Sequence, residues 1–91
     1  MNIHPPVDTP RVTVTDIQAK IADTKYVHDG VLTICILTLK NGFKEVGTSA
    51  CAHPDLYNQA LGEQIAYEDA FKKLWKPLGY ELKERLYRDG E

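Results

Sequence analysis

Two cysteines and three histidines have the side chains in this sequence best suited to chemistry. Cys51 and His53 stand two positions apart, which suggests a thiol nucleophile with its base or a pair of metal ligands. A structural zinc site takes four ligands, and no spacing among the Cys and His residues is typical of a ligand pair. Pro54 also marks His53 as leaving any strand. We therefore predict no metal, no cofactor and no catalytic residue, and interpret both cysteines as core thiols.

Paired carboxylates are the next candidates for chemistry. Glu68-Asp69, Glu81 and Glu84 fall on predicted helices and give the pattern of a solvated face, helped by partners four positions on, such as Lys72 for Glu68 and Lys73 for Asp69. A general acid/base pair needs two carboxylates in unequal, partly buried sites. His28-Asp29, beside Gly30, is typical of a polar turn. These patterns favour a protein that binds rather than catalyses.

Aromatic and basic residues are interleaved near the C-terminal end and around a predicted hairpin. Aromatic stacking plus cationic contacts is how nucleotides are held, and a small nucleotide needs only a few of each. The formal net charge of -2 disfavours a long nucleic acid, which needs a surplus of Lys and Arg. A nucleic-acid-binding protein with a hairpin-plus-helix face stays as the alternative. The candidate ligand contacts are Tyr26, Lys40, Lys44, Trp75, Tyr80 and Arg85.

A β-hairpin is the clearest local prediction. Residues 31–39 are rich in β-branched side chains, and Asn41-Gly42 follows, which favours a two-residue type I′ turn. That turn places Lys40 opposite Phe43 and Leu37 opposite Val46. One face then carries Cys35, Leu37, Leu39, Val46 and Ala50, and the other carries Leu32, Ile34, Ile36, Phe43 and Cys51.

Helices are predicted on both sides of the hairpin. Thr15 and Gln18 resemble a capping box for a short helix over residues 16–25. Apolar residues spaced three and four positions apart predict a long helix over 56–75, which Pro77 ends or kinks. A short final helix is predicted to follow. Three prolines in residues 1–12 predict an extended or flexible arm, so residues 13–91 form a single small α+β domain.

The predicted first strand of the hairpin is apolar on both faces, and a 91-residue chain has little else with which to cover the second face. An isolated two-stranded sheet is also marginal. We therefore predict a homo-oligomer, with the sheet completed by oligomerisation. The start of the sequence does not resemble a signal peptide, and no apolar run reaches the length of a membrane helix, so the predicted location is the cytoplasm and no membrane partner is expected.

The strings TICILTLKNGFKEVGTSAC and GEQIAYEDAFKKLWKPLGYELKERL resemble a family of small tailed-phage proteins of the gene-49/gene-66 type. The resemblance covers roughly residues 15 to 86. It implies a phage-encoded accessory protein in the host cell cytoplasm and supplies no reaction. Small phage proteins of this kind often act by binding, so the hypothesis is counter-defence. The partner would be a host protein, which is blocked, or a small nucleotide signal, which is sequestered.

Overall fold

A computed structural model describes residues 11–90, which begin with a short, well-capped helix. In α1, Val14–Lys20, the Thr13 side chain accepts a hydrogen bond from the backbone of Asp16 (3.1 Å), and the Asp16 carboxylate accepts one from the backbone of Thr13 (2.9 Å). The cap is therefore Thr13 and not Thr15. A capping box satisfies two backbone donors that the first helical turn leaves free.

The helix predicted over 16–25 ends early, and the chain continues directly into a strand that sequence reasoning missed. Strand β1, Ile21–Asp29, pairs antiparallel with β2, Leu32–Leu39, and the register is irregular between Ile21 and Asp23. β1 is an edge strand with mostly exposed side chains, so the apolar alternation that reveals a strand is weak here. The third strand of the sheet therefore comes from the same chain.

The hairpin between β2 and β3, Lys44–Ala50, has a three-residue loop instead of the predicted two-residue turn. Leu39 donates its backbone N–H to Phe43 (2.8 Å), and Gly42 donates to Leu39 (2.9 Å). Of the loop residues, only Gly42 has a positive φ, 92°, whereas a type I′ turn also needs one at Asn41.

The extra loop residue shifts the register of β3 by one position, which reverses its two faces. Leu37 pairs with Glu45 and Cys35 with Gly47. Val46 and Ala50 consequently share a face with Leu32, Ile34 and Ile36, and the predicted assignment of β3 side chains was wrong. By the same alternation Cys51 returns to the side of Cys35.

Two helices follow the sheet. After a 3-10 turn, Pro54–Leu56, the Asn58 side chain caps α2, Gln59–Lys72. The helical run breaks after Lys72 and resumes as α3, Trp75–Arg88. Pro77 lies in the first turn of α3, where the missing N–H removes no intrahelical bond. The long helix and its kink are confirmed, although α3 is as long as α2.

The buried core lies between one face of the sheet and the helices. It joins Ile17 of α1 and Leu78 of α3 to residues of β2 and α2 and to Leu74, which lies between the two long helices. The β2 and α2 residues are Cys35, Leu37, Leu39, Ala66 and Ala70. Val12 also packs against this cluster. The α+β class is therefore confirmed. The remainder of the predicted arm, residues 1–10, lies outside the described residues. No helix in residues 11–90 has the length and apolar character needed to cross a membrane.

Candidate interaction surface

The second face of the sheet carries no buried residue in the described part of the chain, and we call it the open face. Strand pairing places four side chains from each strand on it, in rows that start at the hairpin loop. β1 contributes Asp23, Lys25, Val27 and Asp29; β2 contributes Thr38, Ile36, Ile34 and Leu32; β3 contributes Lys44, Val46, Thr48 and Ala50.

The centre of the open face is apolar and partly exposed. Val27 and Val46 are 38% and 41% exposed, and Leu32, Ile34 and Ile36 of the central strand are half-buried. The prediction of a strand with apolar side chains on both faces is confirmed. Contiguous apolar side chains at a surface are typical of an interaction site.

Charged residues stand at the margins of the open face. Asp23 and Lys44 flank the central strand at the loop end, and the Lys44 ammonium donates to the Thr38 hydroxyl at 2.8 Å, which confirms that both side chains lie on this face. Asp29 lies at the opposite end of β1. The face therefore has an apolar centre and a charged rim, the general anatomy of a protein interface.

The outer edge of β3 is occupied by side chains from α2. Asp69 accepts a hydrogen bond from the backbone of Thr48 (3.0 Å), and Lys73 donates to the backbone carbonyl of Val46 (2.9 Å). The Thr48 hydrogen bond, with Lys72 and Lys73 nearby, lowers the pKa of Asp69 below its ordinary value against a smaller opposing effect of burial. Because these groups use the backbone sites that a further strand would need, β3 is protected from edge pairing.

Two of the six predicted contact residues come together in space. Lys40 at the hairpin loop and Arg85 of α3 line a cleft of about 520 Å³, together with Lys20 and with the acidic Asp16 and Glu81. Arg85 and Glu81 form an ion pair at 4.0 Å. This cleft could receive a small anion on its three cations.

The other four predicted contacts lie on separate surfaces. Lys44 belongs to the open face, and Tyr80 is 68% exposed on α3. Trp75 lines a groove between α1 and α2, beside Tyr67 and Phe71. Tyr26 is half-buried against the core, where burial, followed by the nearby Cys35, Glu63 and Tyr67, raises its pKa. The structure thus does not gather the predicted aromatic residues around the predicted cations.

A polar cluster that sequence reasoning missed joins β1, β2 and the start of α2. The His28 imidazole contacts Glu63 (2.7 Å) and the Tyr57 hydroxyl (3.2 Å), and the buried Thr33 hydroxyl lies 3.4 Å from Tyr57. His28 was interpreted as part of a turn because β1 had not been recognised. Its spacing of two from Tyr26 is the signal that would have placed it on the helix-covered face.

The carboxylate–imidazole–hydroxyl order of this cluster resembles a proton relay. Thr33 is fully buried and therefore out of reach of a substrate. Gly62 leaves room for the Thr33 hydroxyl beside Tyr57, because a Cβ at position 62 would lie only 3.0 Å from that hydroxyl. The cluster is built to fasten the sheet to α2.

Cys51 and His53 are not directed at each other as nucleophile and base. The Cys51 thiol donates to the backbone carbonyl of His53 (3.1 Å), and the His53 ring accepts from the backbone of Asp55 (3.2 Å) and caps the 3-10 turn. Cys35 is buried, which raises the pKa of its thiol. Both thiols are free, and residues 11–90 contain no group of three or more ligating side chains suited to a metal.

An α+β protein with one helix-covered sheet face and one open apolar face is the class that this geometry defines. The chain belongs to the phage protein (N4 Gp49/phage Sf6 gene 66) family, which matches residues 12–86. Comparison with curated proteins and with solved structures gave no match.

Proposed function

We propose that this phage protein is a non-enzymatic accessory protein that assembles into a homo-oligomer and acts in the cytoplasm of the infected host cell by binding. The open face supports this proposal. Its six apolar side chains form one patch, while the polar cluster at His28 joins the sheet to α2 around the fully buried Thr33 hydroxyl. Burial of such a patch against another polypeptide is favourable by roughly 25 cal/mol per Å² of apolar surface.

The proposed role is counter-defence, in which the assembled protein holds a host component. Deletion of the gene should lower phage plating on hosts that carry the relevant defence and leave plating on a defence-free host unchanged. A wild-type gene supplied in trans should restore plating, and an Ile34→Lys gene should not. Equal plating of the deletion phage on every host, with or without defence, would contradict the role.

A small nucleotide signal is one candidate target, and the cleft at Lys20, Lys40 and Arg85 is where its phosphates would bind. Thermal shift with a panel of cyclic and linear nucleotides tests this. A ligand at 100 times its dissociation constant adds about 2.7 kcal/mol of stability. We expect the shift to disappear in the Lys40→Gln and Arg85→Gln variants. It should persist in the control variant Lys83→Gln, because Lys83 is an exposed lysine of α3 outside the cleft.

A host protein is the second candidate target, and the groove that contains Trp75 favours it. Trp75 is 39% exposed, with Tyr67, Phe71 and Val14 beside it. Exposed tryptophan and tyrosine are enriched among the residues that dominate protein binding. Protein captured from infected cells should be lost on Trp75→Ala and kept on Tyr87→Ala, an equally drastic change at an exposed aromatic position of the same helix.

The alternative function is nucleic-acid binding by the hairpin and an adjacent helix. It predicts a gel shift whose affinity falls steeply with salt, because phosphate contacts release counterions. The net charge of -2 counts against it.

A further inference from the structure

We infer that the open face pairs with the open face of a second copy about a two-fold axis parallel to the strands, with both hairpin loops at the same end. This inference rests on the self-association proposed above and names its geometry. The partner is a second copy because the charged rim of the open face is complementary to itself in only one of two arrangements.

Two arrangements bring identical sheets face to face with closed two-fold symmetry. In one the axis runs along the strands, so that β1 lies over β3 of the partner and each row meets the same row. In the other the axis runs across the strands, so that β1 lies over β1 of the partner and the order of the rows is reversed. Packed sheets keep their strand directions within about 30° of each other, so the strands and rows that lie over one another in each arrangement stay close.

The rim charges distinguish the two arrangements. With the axis along the strands, Asp23 meets Lys44 of the partner subunit, and symmetry gives this pair twice. With the axis across the strands, Asp23 meets Asp29 of the partner subunit, also twice, and Lys44 faces an alanine. Like charges at an interface are strongly unfavourable, so the first arrangement is selected.

The apolar side chains fit the same arrangement. Ile34 and Ile36 lie on the central strand and pack on their own symmetry copies. Val27 meets the methyl group of Thr48, and the aliphatic stem of Lys25 covers Val46 while its ammonium reaches the rim. Edge pairing through β3 is not available as a competitor, because Asp69 and Lys73 occupy its backbone groups.

Sedimentation velocity over a concentration series tests the pairing with charge reversals at exposed positions. Asp23→Lys and Lys44→Asp should each weaken the dimer about tenfold or more, because each sets like charges together twice. The double variant should regain most of the wild-type affinity. Asp29→Lys should have little effect, whereas the reversed arrangement predicts that it strengthens the dimer.

Ile34→Lys should abolish the dimer, and Ile65→Lys should retain it. Ile65 is an exposed isoleucine on α2 and serves as the matched control. Circular dichroism checks that each variant is folded. If Ile34→Lys unfolds, the charge reversals at the exposed positions Asp23 and Lys44 still test the pairing.

The outcomes separate the two proposals. A monomer at every concentration overturns self-association and this pairing together. A dimer that Ile34→Lys leaves intact overturns the pairing but keeps self-association on another surface. A dimer that Ile34→Lys breaks, that the double reversal does not restore and that Asp29→Lys strengthens overturns the orientation alone.

Discussion

Gly47 is the position at which α2 approaches the sheet most closely. A Cβ built there would lie 2.2 Å from the backbone oxygen of Ala66 and 2.2 Å from the backbone nitrogen of Ala70. Backbone atoms of a helix cannot move aside individually, so the helix must shift as a unit to admit a methyl group. The close approach of α2 therefore depends on one missing side chain.

Gly47→Ala is expected to destabilise the fold by about 3 kcal/mol or more, since overpacking against rigid backbone is among the costlier substitutions. Gly79→Ala is the control: a Cβ there meets nothing within 4 Å, and alanine in a helix should stabilise by about 0.5–1 kcal/mol. Urea unfolding measures both. Equal stability of Gly47→Ala and wild type would contradict the observed packing of α2 on β3.

Glu63→Gln removes the charge from the hydrogen bond that Glu63 makes with His28. We expect a loss of about 1 kcal/mol, because the pair is partly exposed and the amide still fills the site. Glu68→Gln, on the exposed side of the same helix, should be near neutral. If chemical denaturation shows equal effects for the two variants, the cluster does not fasten the sheet to α2.

At the scale of elements, α2 protects the outer edge of β3. Asp69 and Lys73 stand four apart on one face of the helix and reach the backbone of the edge strand. This arrangement holds the helix and strand in register and discourages strand addition. The stability of the fold therefore depends in part on the charge of the Asp69 carboxylate.

Asp69 should contribute to the dependence of stability on pH. Its folded pKa lies below its unfolded value of about 4, so the contribution is present above pH 4 and is lost as pH falls through the folded pKa. The melting temperature of Asp69→Asn should be lower than wild type near neutral pH, and the difference should shrink below pH about 4. Asp55→Asn, an exposed control, should follow wild type throughout. A difference for Asp69→Asn that is constant with pH would show that ionisation of Asp69 does not stabilise the fold.

At the scale of the whole molecule, the sheet is covered on one side only by the described helices. α1, α2 and α3 all contribute to the core on the Cys35 side. A small domain buries a limited fraction of its surface, so additional burial between copies changes its stability appreciably. Self-association would therefore show in thermal unfolding.

The melting temperature is expected to rise with protein concentration, because association favours the folded form by mass action. The measurement is differential scanning calorimetry at several concentrations at least about tenfold apart, so that dimer formation changes appreciably. Ile34→Lys, if folded, should give a melting temperature independent of concentration. A wild-type melting temperature that does not change over the series would count against assembly in solution.

The sequence by itself determined the α+β class, the hairpin, the long kinked helix and the presence of apolar residues on both faces of β2. These features follow from local chemistry: the turn propensity of Asn-Gly, apolar periodicity, and Pro77, which is compatible with the first turn of a helix and not with its interior. The length of the hairpin loop and the strand β1 could not be predicted from the sequence. A three-residue loop and a mostly polar edge strand depend on pairing energies between distant segments.

Only the tertiary structure decided which side chains meet. It moved Val46 to the open face and Gly47 under α2 through a shift of one residue, and it brought His28 to Glu63 and Lys40 to Arg85. Contacts of this kind join positions far apart in the chain. They are fixed by how the helices and strands pack together, and no local pattern of residues records them.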